Sequence, residues 1–200
     1  MDVREFSVPI PPLKRWRAEV AERPNALFAN LSAGAPEGAR SIRLFVKPYA
    51  PFAPEAGEPT ISAFYLASQS LYEFVRANCA RPAFHLPLKP VLAGYGIGAR
   101  GRNSLISIEG MGTYFAVEAA WSDEDAPPRA WTETPPLAEA CRDCDRCLRA
   151  CPAGALDGAG YVDTTRCLRA LAAKNAPPMP EPAMAMTGAS LWGCDLCQAG

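Results

Sequence analysis

Seven of the eight cysteines fall in the last third of the chain, and the first four of them run Cys141-x2-Cys144-x2-Cys147-x3-Cys151-Pro152. That is the spacing of a bacterial four-iron four-sulfur (4Fe-4S) site. A cube holds its iron corners close together, so three thiolates must come from one tight loop. Two-residue gaps let a turn set successive sulfurs on neighbouring irons. The other three cysteines are Cys167 and the pair Cys194-x2-Cys197. Such an array points to electron transfer before any other residue is considered.

In two-cluster ferredoxins the fourth cysteine of the run ligates the other cluster. By that rule the second cube takes Cys151, Cys167, Cys194 and Cys197, a complete set. The first holds Cys141, Cys144 and Cys147, and its fourth ligand is absent from the sequence. The expectation is a cluster module truncated at its C-terminus, or a first cube that is labile by construction.

Two other uses of the cysteines compete. A disulfide framework requires an oxidising compartment, yet Met1-Asp2-Val3-Arg4-Glu5 opens no apolar signal segment and no stretch is long enough to span a bilayer. A cytoplasmic protein with no membrane partner is expected. Zinc would use Cys141/Cys144 with Cys194/Cys197, but the gap between those pairs far exceeds ribbon or finger spacing, and Cys147 and Cys151 would have no role. Cys79 stands apart. It lies in phase with Ile61, Phe64, Tyr65, Ser68, Leu71, Tyr72 and Val75, an apolar face at helical period, and reads as a core thiol. Tyr65, Tyr72, Phe74 and Trp121 also read as core.

Twenty basic residues balance twenty-one acidic ones, which gives no electrostatic footprint for nucleic acid; none is expected as a partner. At 49% hydrophobic, 200 residues can bury one ordinary core plus a small second domain. The chain divides at residues 123–136, a polar, proline-rich connector. Before it, residues 1–122 read as a mixed α and β domain. Helices are expected at Leu13 to Glu22, Thr60 to Asn78 and Leu88 to Ala93. Strands are expected at Ser41 to Lys47, and at Ser104 to Glu109 and Thr113 to Trp121 around the turn Gly110-Met111-Gly112. After it, residues 137–200 carry the clusters, and Asp163 or Thr164 caps a helix bearing Cys167, Leu168 and Leu171 that ends before Pro177.

The run Cys141 to Cys151-Pro152, then Arg166-Cys167-Leu168, then Trp192-Gly193-Cys194-Asp195-Leu196-Cys197-Gln198 resembles the iron–sulfur module of epoxyqueuosine reductase and its corrinoid-dependent relatives. The long gaps on either side of Cys167 are similar to that family and unlike a simple ferredoxin. Upstream, Gly96-Ile97-Gly98-Ala99-Arg100-Gly101-Arg102-Asn103-Ser104 resembles the family's glycine-rich segment ending in Gly-Lys-Asn before a strand. The resemblance implies an α+β fold, with a nitroreductase-like α/β domain that holds cobalamin, followed by a small ferredoxin-like double 4Fe-4S domain. It also implies an electron donor such as flavodoxin or ferredoxin, and a small organic substrate or a protein-bound corrinoid as acceptor. This sequence departs from the family where an acidic residue precedes the glycine segment, since Phe84 to Pro90 carries no carboxylate, and in lacking the long C-terminal tRNA-binding region.

On that resemblance Gly96, Gly98, Arg100, Gly101, Arg102 and Asn103 are cofactor-binding candidates. Gly96-x-Gly98-x-x-Gly101 also matches the dinucleotide fingerprint, but a helix precedes it and a strand follows, the inverse of the required context. Glycine lets a large planar cofactor approach the backbone, and equally serves a tight helix-to-strand turn. Arg100 and Arg102 suit an anionic group or a solvated turn. His85, the one histidine, is the candidate catalytic residue, as lower cobalt ligand or proton donor; a loop position with a satisfied ring nitrogen suits it as well. Two classes of function follow, a corrinoid and iron–sulfur reductase, or an electron carrier without cobalamin.

Overall fold

The structure is a computed structural model that describes residues 2–11, 34–51, 60–84, 86–172, 178–187 and 190–199. The expected helix at Leu13 to Glu22 and the whole of His85 lie outside the described residues.

Strand β2 (Ser41–Pro48) is the centre of the sheet. Ile42, Leu44 and Val46 are fully buried on one face, and Phe45 is buried on the other. Such a strand is covered on both sides. It pairs antiparallel with β1 (Arg4–Pro9) and with β6 (Phe115–Ser122), giving the order β1-β2-β6. The free edge of β6 is closed by backbone, through Ala83 N to Ala119 O at 2.8 Å and Trp121 N to Arg81 O at 2.8 Å. Strand β1 escaped the sequence reading. Its signal is only the two apolar residues Phe6 and Val8 at period two, with Glu5 before them and Ser7 between them.

Helix α1 (Ala63–Asn78) covers one face of the sheet, burying Ala67, Leu71 and Val75 against Phe45, Ala116 and Ala120. Cys79 is half-buried at the edge of this group, where burial pushes its thiol up. The Ser62 hydroxyl accepts from Phe64 N at 3.3 Å and caps the helix. It starts later than expected because Thr60–Ile61 form β3, which pairs in parallel with β7 (Ser190–Trp192), 130 residues away in the register Thr60 to Ser190. On the opposite face, helix α2 (Leu88–Gly94) places Val91 and Leu92 against Val8, Ile42, Leu44 and Val46.

The expected strand at Ser104 to Glu109 shrinks to β5 (Ile106–Ser107), paired with β4 (Ala99–Arg100). Ser104 has φ +62°, which no strand accommodates, and Ile108 turns back on Gly112 with Gly112 N to Ile108 O at 2.8 Å. Residues 123–136 contain no helix or strand. They are nevertheless anchored, by Ser41 Oγ to Glu124 O at 2.7 Å, Thr132 N to Gly94 O at 2.8 Å, and the Trp131 ring against Tyr95.

Glu118 lies on the α1 side of β6, between Ala116 and Ala120 and opposite Phe45. Burial pushes its carboxyl up to about 7. The folded state therefore holds this proton more tightly than the unfolded chain. The resulting stability is complete below the unfolded value and is lost as pH rises through the folded one. With partial solvent access, on the order of 2 kcal/mol should disappear between pH 5.5 and pH 8. Glu118→Gln should remove that slope; urea unfolding of both proteins at the two pH values would measure it, and parallel slopes would count against it.

Candidate metal centre

The cysteines are presented by short elements. A 3-10 turn (Glu139–Cys141) delivers Cys141, α3 (Arg146–Ala150) carries Cys147 and is capped by Cys151, and Cys167 is the N-cap of α4 (Leu168–Leu171). Cys197 lies on α5 (Leu196–Ala199), which packs on α3. The turn before Cys167 is built by Asp163, whose carboxylate accepts from Thr165 N at 2.9 Å while its carbonyl accepts from Cys167 N at 2.9 Å. Pro152 follows Cys151 and turns the chain away, leaving Ala155 N to donate to Cys151 Sγ at 3.3 Å. None of the eight cysteines forms a disulfide.

The thiols fall into two electrostatic neighbourhoods. Burial pushes Cys147 up, and Cys141 and Cys144 add to it. Burial likewise pushes Cys194 up, with Cys167 and Cys151 among its neighbours. Cys197 is pushed up to about 12, first by burial and then by Cys194, Cys167 and Cys151, with Cys147 of the other group last. Crowding several sulfurs that oppose one another's ionisation is unfavourable without a cation among them, and a coordinating metal removes the proton outright. Among the described residues no three His, Cys, Asp or Glu side chains close on a single ion. A cube spreads its ligands over four irons, so its donors stand farther apart than the donors of one ion. The donor set fits 4Fe-4S groups.

The glycine segment lies against this module. A Cβ on Gly101 would sit 2.8 Å from Asn103 Oδ1 and 3.6 Å from Cys141 Sγ, and one on Gly98 would sit 2.4 Å from Ile106 Cγ2 and 2.8 Å from Ser107 O. Gly96, at φ +62°, faces open space. Arg102 Nη2 donates to Arg142 O at 2.6 Å. The Arg100 carbonyl accepts from Ala138 N at 2.7 Å, and its guanidinium stands over the Tyr161 ring at 4.9 Å. Arg100 lies on β4 and Arg102 in the turn that follows it, and the Nε of each is buried without an acceptor.

Asn103 ties the two halves together: Nδ2 donates to Cys197 O at 2.8 Å and Oδ1 accepts from Leu105 N at 3.1 Å. Sequence reasoning missed most of the remaining ties. Gln198 Nε2 donates to Thr113 O at 2.8 Å, its Oε1 accepts from Tyr49 OH at 3.4 Å, and Ser62 Oγ donates to the Asp195 carboxylate. Asp195 and Gln198 stand within the cysteine motif itself, but their partners lie 85 to 149 residues away, with no local signal.

Lys89 and Arg169 were also missed. The Lys89 ammonium is lowered to about 8, first by burial and then by Arg169, while Cys197 and Cys167 act in the opposite sense. The ammonium end is enclosed, although the residue keeps part of its surface. The Arg169 guanidinium lies 3.9 Å above the Phe64 ring.

Residues 140–199 match the family described as a 4Fe-4S double cluster binding domain. The chain is 34% identical over 107 residues to an epoxyqueuosine reductase of Burkholderia pseudomallei, a match covering 52% of this chain and 26% of that protein. It is 28% identical over 130 residues to that of Bacillus subtilis, covering 65% and 32%. The matched segments thus span about a quarter to a third of these relatives. In three dimensions, an epoxyqueuosine reductase structure from Streptococcus thermophilus superposes with TM-score 0.68 at 20% identity, over 98% of this chain and 60% of that one. A Bacillus subtilis structure gives 0.70 at 19%, over 99% and 60%. A further neighbour was solved with an epoxyqueuosine-modified tRNA stem loop. That neighbour was solved with nucleic acid, and the near-zero net charge that argued against nucleic acid here describes a whole chain and says nothing about a local RNA-binding surface. No described helix is long and apolar enough to cross a membrane.

Proposed function

We propose that this chain, a relative of the epoxyqueuosine reductases over about half its length, is an iron–sulfur reductase that passes single electrons through two 4Fe-4S clusters to a corrinoid or an organic substrate. The observation that carries the reading is the match of residues 140–199 to a 4Fe-4S double cluster binding domain, and the neighbours of Cys147, Cys194 and Cys197 support a Cys141, Cys144 and Cys147 group beside a Cys151, Cys167, Cys194 and Cys197 group. The second group is bonded directly to residues 1–122, through Asn103, Ser62 and Thr113. Residues 1–122 would hold the electron acceptor, 123–136 connect, and 137–200 carry the clusters. Ferredoxin or flavodoxin would supply electrons, and a modified nucleoside of the kind bound by the solved relative is a substrate to test.

When bound, a corrinoid supplies a strongly reducing cobalt centre. Of the segment expected to hold it, Gly98 and Gly101 are filled by neighbouring side chains and backbone, and only Gly96 stays open. No step is therefore assigned to the corrinoid. The same crowding favours a second reading, an electron carrier without cobalamin.

Anaerobic reconstitution with iron, sulfide and hydroxocobalamin separates the two. Cobalamin retained through gel filtration supports the reductase; its loss from protein with intact clusters supports the carrier. Iron near about eight per chain means both cubes assemble, and near about four means only the complete set of cysteines holds one. Failure to bind iron–sulfur at all would overturn both.

A further inference from the structure

The glycine segment ends in a closed turn. Gly101 N donates to Leu105 O at 2.8 Å and Ser104 N to Gly101 O at 3.0 Å, and within this turn Asn103 Oδ1 accepts from Leu105 N at 3.1 Å. Ser104 is held at φ +62°, a conformation that a serine keeps only where its surroundings impose it. A Cβ on Gly101 would meet Asn103 Oδ1 at 2.8 Å, so glycine leaves the amide room to lie where it does. With the acceptor end fixed, the donor end is fixed too: Nδ2 reaches the Cys197 carbonyl at 2.8 Å, 94 residues along the chain. Among the described residues, Cys197 is the one cysteine of its set of four whose own atoms hydrogen-bond to residues 1–122. Cys151 and Cys167 bond within their own loops, and Asp195 and Gln198 reach across by side chains.

We propose that Asn103 is a positioning residue for the second cube: it fixes the main chain at Cys197 and so registers that ligand against residues 1–122. The inference rests on the assignment of Cys151, Cys167, Cys194 and Cys197 to one cube. Helix α5 has four residues, too few to hold its own direction, so Cys197 takes its bearing from what grips it. A polar group that holds a ligand from behind sets its orientation, and losing it weakens metal retention by about 10- to 100-fold. Asn103 does this through the ligand's carbonyl and leaves the sulfur free for iron. The oxygen and the nitrogen of its amide are both engaged by the protein, which ties it to the ligand loop and not to an open cofactor cradle.

The test is anaerobic iron release to a chelator, followed together with electron paramagnetic resonance, on the reconstituted full chain. Iron content of the unsubstituted protein is checked first, so that a failure to assemble clusters, which counts against the function proposed above, is separated from a failure of this inference. The Cys167→Ser variant identifies which signal belongs to the second cube. Asn103→Asp keeps an acceptor for Leu105 N, and with it the turn, but has no hydrogen to give Cys197 O. It should release the iron of the second cube about tenfold faster and alter that cube's signal, with the first cube unmoved. Asn103→Ser, neutral and too short to reach Cys197, should do the same, which separates the missing donor from the added charge. Tyr49→Phe removes the Tyr49 OH to Gln198 Oε1 bond at the same interface without touching a cysteine, and should leave both cubes as they were. Loss of only the second cube during reconstitution of the Asn103 variants reads the same way as faster release. Unchanged release in both Asn103 variants, equal changes in both cubes, or equal acceleration in Tyr49→Phe would overturn the proposal.

Discussion

Cys167→Ser is expected to abolish one of the two reduced-cluster signals and about half of the bound iron, whereas Cys147→Ser abolishes the other. The reason is the division of the sulfurs. Cys167 has Cys194 and Cys197 as electrostatic neighbours, and Cys151 joins them, although it directly follows the helix that carries Cys147. Pro152 and the Ala155 N–H to Cys151 Sγ contact draw that sulfur out of the first loop. Serine offers a harder, less readily ionised oxygen than the thiolate iron–sulfur chemistry selects, so the substitution empties a corner without much change in volume. Electron paramagnetic resonance and iron analysis of each variant decide the matter, and loss of both signals in either variant would refute crossed ligation. The same result bears on electron flow. A chain with two separately removable cubes can be stopped at either one, and the surviving signal shows which cube the external donor can still reduce.

The cysteine motif was legible because its information is local. Two-residue gaps and a following proline state their geometry within a dozen residues. Strand β2 was legible for a similar reason, since Ile42, Leu44, Phe45 and Val46, interrupted by Arg43 alone, have few alternatives. What stayed hidden depends on distant partners. The β3–β7 pairing joins Thr60 to Ser190, and α1 begins after Ser62 because of it. Gln198 reads as an ordinary polar residue until Thr113 and Tyr49 surround it. Net charge concealed more than it showed: an almost neutral chain still gathers Lys89 and Arg169 at one place. Lys89 was visible as a lone cation in a proline-flanked apolar stretch, but the sequence held nothing to say what it faced.

The glycine segment is where a motif and its surroundings diverge most, and Gly98→Val should expose the difference. A cofactor cradle predicts that a side chain there blocks ligand binding and leaves the protein intact. The observed surroundings predict the opposite. The new Cβ would meet Ile106 Cγ2 at 2.4 Å and the carbonyl oxygen of Ser107 at 2.8 Å, and backbone on β5 cannot rotate away as a flexible side chain can. Overpacking of this kind costs about 3 kcal/mol, near the upper end for well-packed interiors. The damage would not stop there. Gly98 N and Ile97 N both donate to Leu92 O, so displacing β4 pulls on α2. Arg100, two residues on, holds Ala138, and Gly101, three residues on, lies close to Cys141. The expected result is a lower urea midpoint in protein without any added cofactor, together with weaker assembly of the first cube, whose Cys141 rests on this turn. Gly96→Ala is the control, because nothing lies within 4 Å of its Cβ and its cost is confined to the backbone strain of φ +62°. A Gly98→Val protein that unfolds at the original urea concentration would show that the turn yields, and would return the segment to the role of an open cradle.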